Sequence, residues 1–449
     1  MLVVLIEENT KGTISLLVGQ CGIQVGDAIF DELASSYMLQ NNGKNVTYNN
    51  FNDQHDVNNN VNAFFDEKYH ARAILVDTEA KVVAKTIAKS KHRKWKYSNN
   101  NKKDIDSISV VRQGGAANNW AYGYMDQSNI EVATQTIEKV RKQIEKLDYL
   151  YGFNIISSAA GGTGSGVGTR LNEELGDIYK TIPLVHIVIL PFEAGEVAVQ
   201  SLNSILSLSH IIKNNYGGTI IARNDLAFMT CKRNGISSPG LNDLNNVIAR
   251  NVSSIFAAAG SSFYVDCIPH LWSQNNLYPF VELKSVPQTS EDAIEFNNDS
   301  WEALGKELSR EFLDKDHNKK MYSSFLFLHG PDSNHLKSDD YDNNNNHYSI
   351  LMPNDKVKAT WEMLPIWRNA TSWKSIANPK PWRGYMRSCT LAMNSKNIIE
   401  PLTRMISKAS DMIRTDAYLH QYSKHGIDKI EFCNSALRLE RIVSCYSEL

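Results

Sequence analysis

Ala160-Gly-Gly-Thr-Gly-Ser-Gly-Val-Gly168 follows the apolar, β-branched run Phe153–Ser157 and opens a helical segment, Ser165–Lys180. Glycines let the backbone turn tightly and bring its N–H groups to an anion with no Cβ in the way. The helix that follows adds the positive end of its dipole. The stretch therefore reads as a phosphate cradle. Its spacing is not that of a dinucleotide fingerprint. From Gly162 the third glycine of G-x-G-x-x-G falls on Val167, and from Gly164 it falls on Thr169. It is not a Walker A loop either, because it holds no lysine.

The surrounding pattern places this loop in a parallel α/β sheet. Strand-like runs recur at Thr13–Val18, Arg72–Val76, Ser107–Val111, Phe153–Ser157, Leu184–Leu190 and Thr219–Ala222. They are apolar on both faces, as strands buried between two helical layers must be. Helical segments at Gly22–Met38, Glu131–Leu147, Ser165–Lys180 and Val197–Asn214 lie between them. Such alternation predicts a doubly wound sheet, with ligands at the carboxyl ends of the strands.

Further along, Leu241 to Ala258 carries apolar Leu244, Val247, Ile248, Val252, Ile255 and Phe256, the pattern of a buried helix between domains. Leu402, Met405, Ile406, Ala409, Met412 and Ile413 predict one amphipathic helix; Leu437, Leu439, Ile442 and Val443 predict another. Joined by Tyr418–Gly426, they read as a helical hairpin on the main body. Trp301, Trp361, Trp367, Trp373 and Trp382 read as packing residues. The Asn-rich stretches Asn41–Asn60, Ser98–Asp104 and Asp342–His347 read as surface loops.

Bulk properties narrow the class. The chain has 449 residues, 42% of them hydrophobic and 21% charged, with a net charge of −2. That length predicts two or three domains. The balance of charge argues against a nucleic-acid partner. The one basic run, Lys89–Lys96, reads as a solvated helix end or loop. Six scattered cysteines form no C-x-x-C pair, so they predict neither a zinc site nor a disulfide framework. The apolar run Leu2–Ile6 is short for a signal peptide, and no stretch approaches the ~20 apolar residues that span a bilayer. A cytoplasmic protein with no membrane partner is expected.

Gly161-Gly-Thr-Gly-Ser-Gly166 is similar to the tubulin signature, and the other loops agree with it in order. They are Gly19-Gln-Cys-Gly-Ile-Gln24, Asp77-Thr-Glu79, Gly114-Gly-Ala-Ala-Asn-Asn-Trp-Ala-Tyr-Gly123, Val199-Gln-Ser-Leu-Asn203 and Asn224-Asp225. Asn118-Asn-Trp-Ala-Tyr-Gly-Tyr124, Asn203-Ser-Ile-Leu-Ser-Leu-Ser-His210, Tyr418-Leu-His-Gln-Tyr-Ser-Lys-His-Gly426 and the ending Ser444–Leu449, which has no acidic tail, resemble the delta branch of that family. The resemblance implies a GTPase domain (1–240), a central helix with an intermediate domain (241–397) and a C-terminal helical hairpin (398–449). It also implies GTP or GDP with Mg²⁺, and alpha, beta or epsilon tubulins as partners. The implied role is structural, in the triplet microtubules of centrioles and basal bodies and in cilium assembly. The implied location is cytoplasmic and cytoskeletal, with the nucleus as a second one. Epsilon- or gamma-like nucleation and a Rossmann-type metabolic enzyme are the alternatives.

Residue roles follow on the same resemblance. Gln20, Cys21 and Gln24 lie under the nucleotide. Asp77 and Glu79 hold Mg²⁺ through hard oxygens. Gly115, Ala116, Ala117 and Asn118 face the γ-phosphate. Ser158, Gly161, Gly162, Thr163 and Gly164 wrap the α- and β-phosphates. Gln200 lies near the ribose, Asn224 and Asn245 read the guanine edge, and Leu241 replaces an aromatic ring on the base. Ala117 stands where the family has glycine, so its Cβ crowds the backbone if positive φ is needed there. Setting Leu277-Tyr-Pro279 against the family's Leu-Val-Pro puts Trp272 where a glutamate reaches the nucleotide of the next subunit. Asp266 is the nearest acid, about six residues earlier, and the candidate catalytic residue. Hydrolysis is therefore expected to be weak or to depend on a neighbouring subunit.

Overall fold

The computed structural model describes residues 10–41, 62–98, 102–112, 114–193, 195, 197–213, 217–274, 276–287, 300–312, 320–331 and 371–449. The first nine residues, most of the Asn41–Asn60 stretch, Asp342–His347, Trp361 and Trp367 lie outside them.

Ten strands form one sheet in the order β3-β2-β1-β4-β5-β6-β7-β10-β8-β9. The first six are β1 (Lys11–Val18), β2 (Ala73–Asp77), β3 (Ser109–Val111), β4 (Tyr149–Ser158), β5 (Leu184–Leu190) and β6 (Gly217–Arg223), all parallel to their neighbours. The rest are β7 (Phe280–Val286), β8 (Met321–His329), β9 (Trp373–Asn378) and β10 (Ser388–Ser395). β7 pairs parallel with β6 and antiparallel with β10, so the sheet continues across the central helix without a break.

Alternation along the strands feeds two cores. Ile14, Leu16 and Val18 pack with the helices Gln127–Ile144 and Gly168–Ile178, while Leu17 packs with the helix Gly19–Asn41 and the central helix Leu241–Ala259. This is the two-residue period of a strand buried on both faces. All six apolar residues expected to bury on the central helix do so.

Three expectations need correction. The segment Ser107–Val111 is strand only from Ser109, because Lys102–Ile108 is helical, including part of the Asn-rich stretch read as a loop. The basic run is not simply solvated. Arg93 is largely buried, with Nη1 and Nη2 on the Asp27 carboxylate at 2.7 and 3.0 Å and its guanidinium over Trp95. Lys89, at its start, does remain exposed. In the last helix, Lys429–Glu448, Leu437 points outward; the buried stripe is Phe432, Ala436, Leu439, Ile442 and Tyr446. That stripe and Leu402, Ile406, Ala409 and Ile413 of the helix Ile399–Arg414 cover the helix Gln200–Lys213. All six cysteines are free thiols, and no helix among the described residues is long and apolar enough to cross a membrane.

Candidate nucleotide site

In the order 3-2-1-4-5-6 the chain reverses direction across the sheet between β1 and β4. Doubly wound sheets open a crevice at such a switch point, beyond the carboxyl ends of the strands. The loops after β1 and β4 therefore flank the crevice, and the loops after β2 and β3 complete one side.

These loops touch through their backbones. Gly19 lies at φ +72°, and a Cβ there would stand 2.8 Å from the Gly164 nitrogen. A Cβ on Gly162 would stand 2.4 Å from the Ala116 carbonyl oxygen. Side chains add one short bond, Thr78 Oγ1 to Thr163 Oγ1 at 2.5 Å. The cradle itself is a π-helical turn, Thr163–Val167, that leads into the helix Gly168–Ile178. The helical reading that began at Ser165 is thus right in kind and late by two residues. A Cβ on Gly161 would meet no atom of the other described residues within 4 Å, so the space before the cradle is open among them.

Beneath the cradle, Ser157 Oγ and His186 Nε2 are 2.9 Å apart, and His186 Nδ1 lies 3.3 Å from Asn172 Oδ1. Burial pushes His186 down to about 3, so the ring is neutral. Nδ1–H then donates to Asn172, and Nε2 accepts from Ser157. The floor of the cradle brings no charge of its own.

Asp77 ends β2 fully enclosed. Its Oδ1 accepts from the Thr78 N–H at 2.8 Å, and its Oδ2 meets no hydrogen-bond partner among the described residues. Burial pushes this carboxyl up to about 6, against the lowering effect of the Thr78 and Glu79 amides. The Glu79 carboxylate is exposed and lies against Gly115. An unpaired buried carboxylate oxygen costs free energy unless a cation meets it. The pair fits Mg²⁺ chemistry, in which one or two carboxylates bind alongside phosphate oxygens and waters. No cluster of three or more metal-ligating side chains occurs among the described residues, so these two would share the ion with a ligand's phosphates.

The loop after β3 is held in an unusual shape. Gly115, Ala117 and Asn118 have φ of +63°, +48° and +50°. The condition set for Ala117 is met: it does occupy the left-handed region, at a cost of about 1 kcal/mol or more for each non-glycine residue. The restraint is Asn203, one helical turn after Gln200. Its Nδ2 donates to the Asn118 and Ala160 carbonyls at 2.8 and 2.7 Å, and its Oδ1 accepts from the Trp120 N–H at 2.9 Å. Neither Asn203 nor Thr78 stood out as a site residue in the sequence. Both lie inside quoted loop motifs, but their partners are distant in the chain.

At the other end of the crevice, Gln200 Nε2 donates to the Phe192 carbonyl at 2.8 Å. Asn224 opens the helix Asn224–Arg233, and Asn245 lies on the central helix; both carboxamides are part-exposed and bond to no described residue. Arg223 grips Asp225 through two bonds, 3.1 and 2.6 Å, and reaches Glu282 of β7 at 3.5 Å, which braces the backbone on either side of Asn224. Leu241 is 62% exposed. Gln20 is exposed, Gln24 half-buried, and burial pushes the Cys21 thiol up to about 12, leaving it a neutral apolar contact.

Trp272 does not stand at a surface. It is 3% exposed, and its Nε1 donates to the Pro279 carbonyl at 2.9 Å. Its ring covers Gly218 of β6, where a Cβ would stand 2.3 Å from it. The indole is a core residue and cannot face a neighbouring subunit. Asp266 instead lines a surface groove with Val265, Pro269, His270 and Lys374.

Comparison with known proteins agrees with this geometry. Residues 13–232 match the Tubulin/FtsZ family, GTPase domain. The chain is 30% identical over 466 residues to a protein named Tubulin delta chain from Macaca fascicularis, covering 97% of this chain and 99% of that one. The Tubulin delta chain of Homo sapiens matches at 30% over 463 residues with the same coverage. The Tubulin beta chain of Aspergillus fumigatus matches at 26% over 452 residues, covering 97% and 94%. The chain thus belongs to the tubulin family and resembles its delta chains at 30% identity over nearly the full length of both.

Proposed function

We propose that this chain binds GTP or GDP with Mg²⁺ at the β1/β4 crevice and acts as a delta-type structural subunit of microtubule-like assemblies in centrioles and basal bodies. Asp77 Oδ2, which meets no partner among the described residues, beside an open glycine cradle carries the nucleotide reading. Asp77 and Glu79 would hold the ion, which on a bound triphosphate neutralises charge between phosphates. Ser158 to Gly164 would surround the phosphates with backbone donors. Asn224 and Asn245 would read guanine, since each can donate and accept at once. The location and the alpha, beta or epsilon partners rest on similarity to proteins named delta chains.

Nucleotide released from the denatured, purified protein and identified by mass spectrometry tests the reading. A guanine nucleotide is expected; adenine alone, or nothing at saturating GTP and Mg²⁺, overturns it. Gly161→Ala sharpens the result. The added methyl has no atom of the other described residues within 4 Å, so the fold should melt unchanged while nucleotide affinity falls.

A further inference from the structure

Asn203 is fully buried and uses its whole carboxamide. Besides its bonds to Trp120, Asn118 and Ala160, its Oδ1 accepts from the Tyr422 hydroxyl at 2.7 Å. Two acceptor and two donor positions are filled, the full capacity of the group. Turning the amide over would set its NH₂ against the Trp120 N–H, so the orientation is fixed.

Tyr422 comes from the turn between the two C-terminal helices, 219 residues away in the chain, and is itself fully buried. The same turn makes two further contacts with the loop after β3 and the short helix it opens. Asn119 Nδ2 donates to the Gln421 carbonyl at 3.1 Å, and the Tyr122 and His425 rings lie 4.7 Å apart. One carboxamide therefore joins four segments: the left-handed loop at Ala117 and Asn118, the cradle at Ala160, the helix that carries Gln200, and the C-terminal turn. The loop is not in a conformation that its residues prefer on their own. What holds Asn203 in place also holds that loop.

Resting on the reading of the crevice as a GTP site, we infer that Tyr422 is a positioning residue for the loop that meets the third phosphate, so that GTP binding and order in the C-terminal turn favour each other. Without the hydroxyl, Asn203 Oδ1 keeps only the Trp120 N–H, and the carboxamide's hold on the Asn118 carbonyl loosens. On that reading a diphosphate lacks the group that meets this loop, so GDP loses little. The coupling is reciprocal, as linkage requires: the third phosphate strengthens the turn as much as the turn strengthens the hold on it.

Tyr422→Phe in the full-length protein keeps the ring that packs on Phe432 and removes the bond. Dissociation constants for GTP and GDP are then compared by calorimetry with Mg²⁺ present. The constant for GTP should rise about fivefold or more, and that for GDP less than about twofold. Ile406→Val, a buried apolar change in the same hairpin, controls for general loosening and should leave the GTP-to-GDP ratio alone. In the wild type, amide exchange across 418–426 should be slower with GTP than with GDP, a readout that needs no variant. An equal shift for both nucleotides, a matching ratio change in I406V, or identical exchange with GTP and GDP overturns the inference and leaves the GTP site standing. Failure of the wild type to bind guanine nucleotide removes both.

Discussion

At the carboxyl ends of β1, β3 and β4 the decisive contacts are between backbones, Gly19 against Gly164 and Gly162 against Ala116. In the groove behind the central helix they are between side chains and distant partners. There His270 Nε2 donates to the Ser324 carbonyl at 3.0 Å, and Ser273 meets the Tyr322 hydroxyl at 2.9 Å. Trp272 fills the space under the adjoining strand. The first region was readable because a missing side chain leaves a motif in the sequence. The second was misread because a tryptophan in a loop-like stretch gives no sign of which way it faces. Aligning it on Leu277-Tyr-Pro279 set a core residue at a subunit surface.

The largest expected effect tests that contrast directly. Trp272→Glu places a carboxylate in an enclosed site lined by Gly218 and the Pro279 carbonyl. Denaturant unfolding should show a loss of about 3–5 kcal/mol, from the emptied volume and the unpaired charge. Asp266→Ala, at the groove, should leave stability nearly unchanged. Single-turnover GTP hydrolysis in mixed assemblies then decides between them. A W272E protein that folds normally and speeds hydrolysis would mean the indole faces a neighbour after all. Loss of the rate in D266A would make Asp266 the acting acid.

A medium effect concerns Asp77. Its carboxyl titrates at about 6 in the fold, against an ordinary 3.8. Between those values the folded state keeps a proton that the unfolded chain has released. In nucleotide-free protein this contribution to stability is therefore present below about 4 and lost as pH rises toward 6. Mg²⁺ needs the ionised form, so its apparent affinity should climb about tenfold per pH unit up to about 6 and then level. Asp77→Asn should abolish that slope and lower Mg²⁺ affinity about tenfold or more at neutral pH. An unchanged titration in D77N would move the ion elsewhere.

The smallest effect is at Leu241. With 62% exposure, Leu241→Tyr should leave the melting temperature unchanged. It should tighten guanine nucleotide about two- to tenfold by restoring an aromatic face to the base. No change in affinity would place the base away from this residue.

The parallel sheet, the glycine-rich turn after β4 and the buried face of the central helix were all legible in the sequence. Each depends on local backbone geometry or on a period of two or about 3.6 residues, which a short window contains. The solvated reading of Arg93 failed because Asp27 lies 66 residues away. The outward turn of Leu437 was hidden because only packing decides which of two adjacent apolar stripes faces the body. Asn203 and Tyr422 could not be paired in advance at all. Hydrogen bonds across more than two hundred residues follow from how the C-terminal hairpin docks, and no local pattern records them. The sequence by itself determined that glycine-rich loop backbone would gather at one end of a parallel sheet. Only the tertiary structure decided which buried side chains hold it there, because a carboxamide or an indole finds its partners in space and not along the chain.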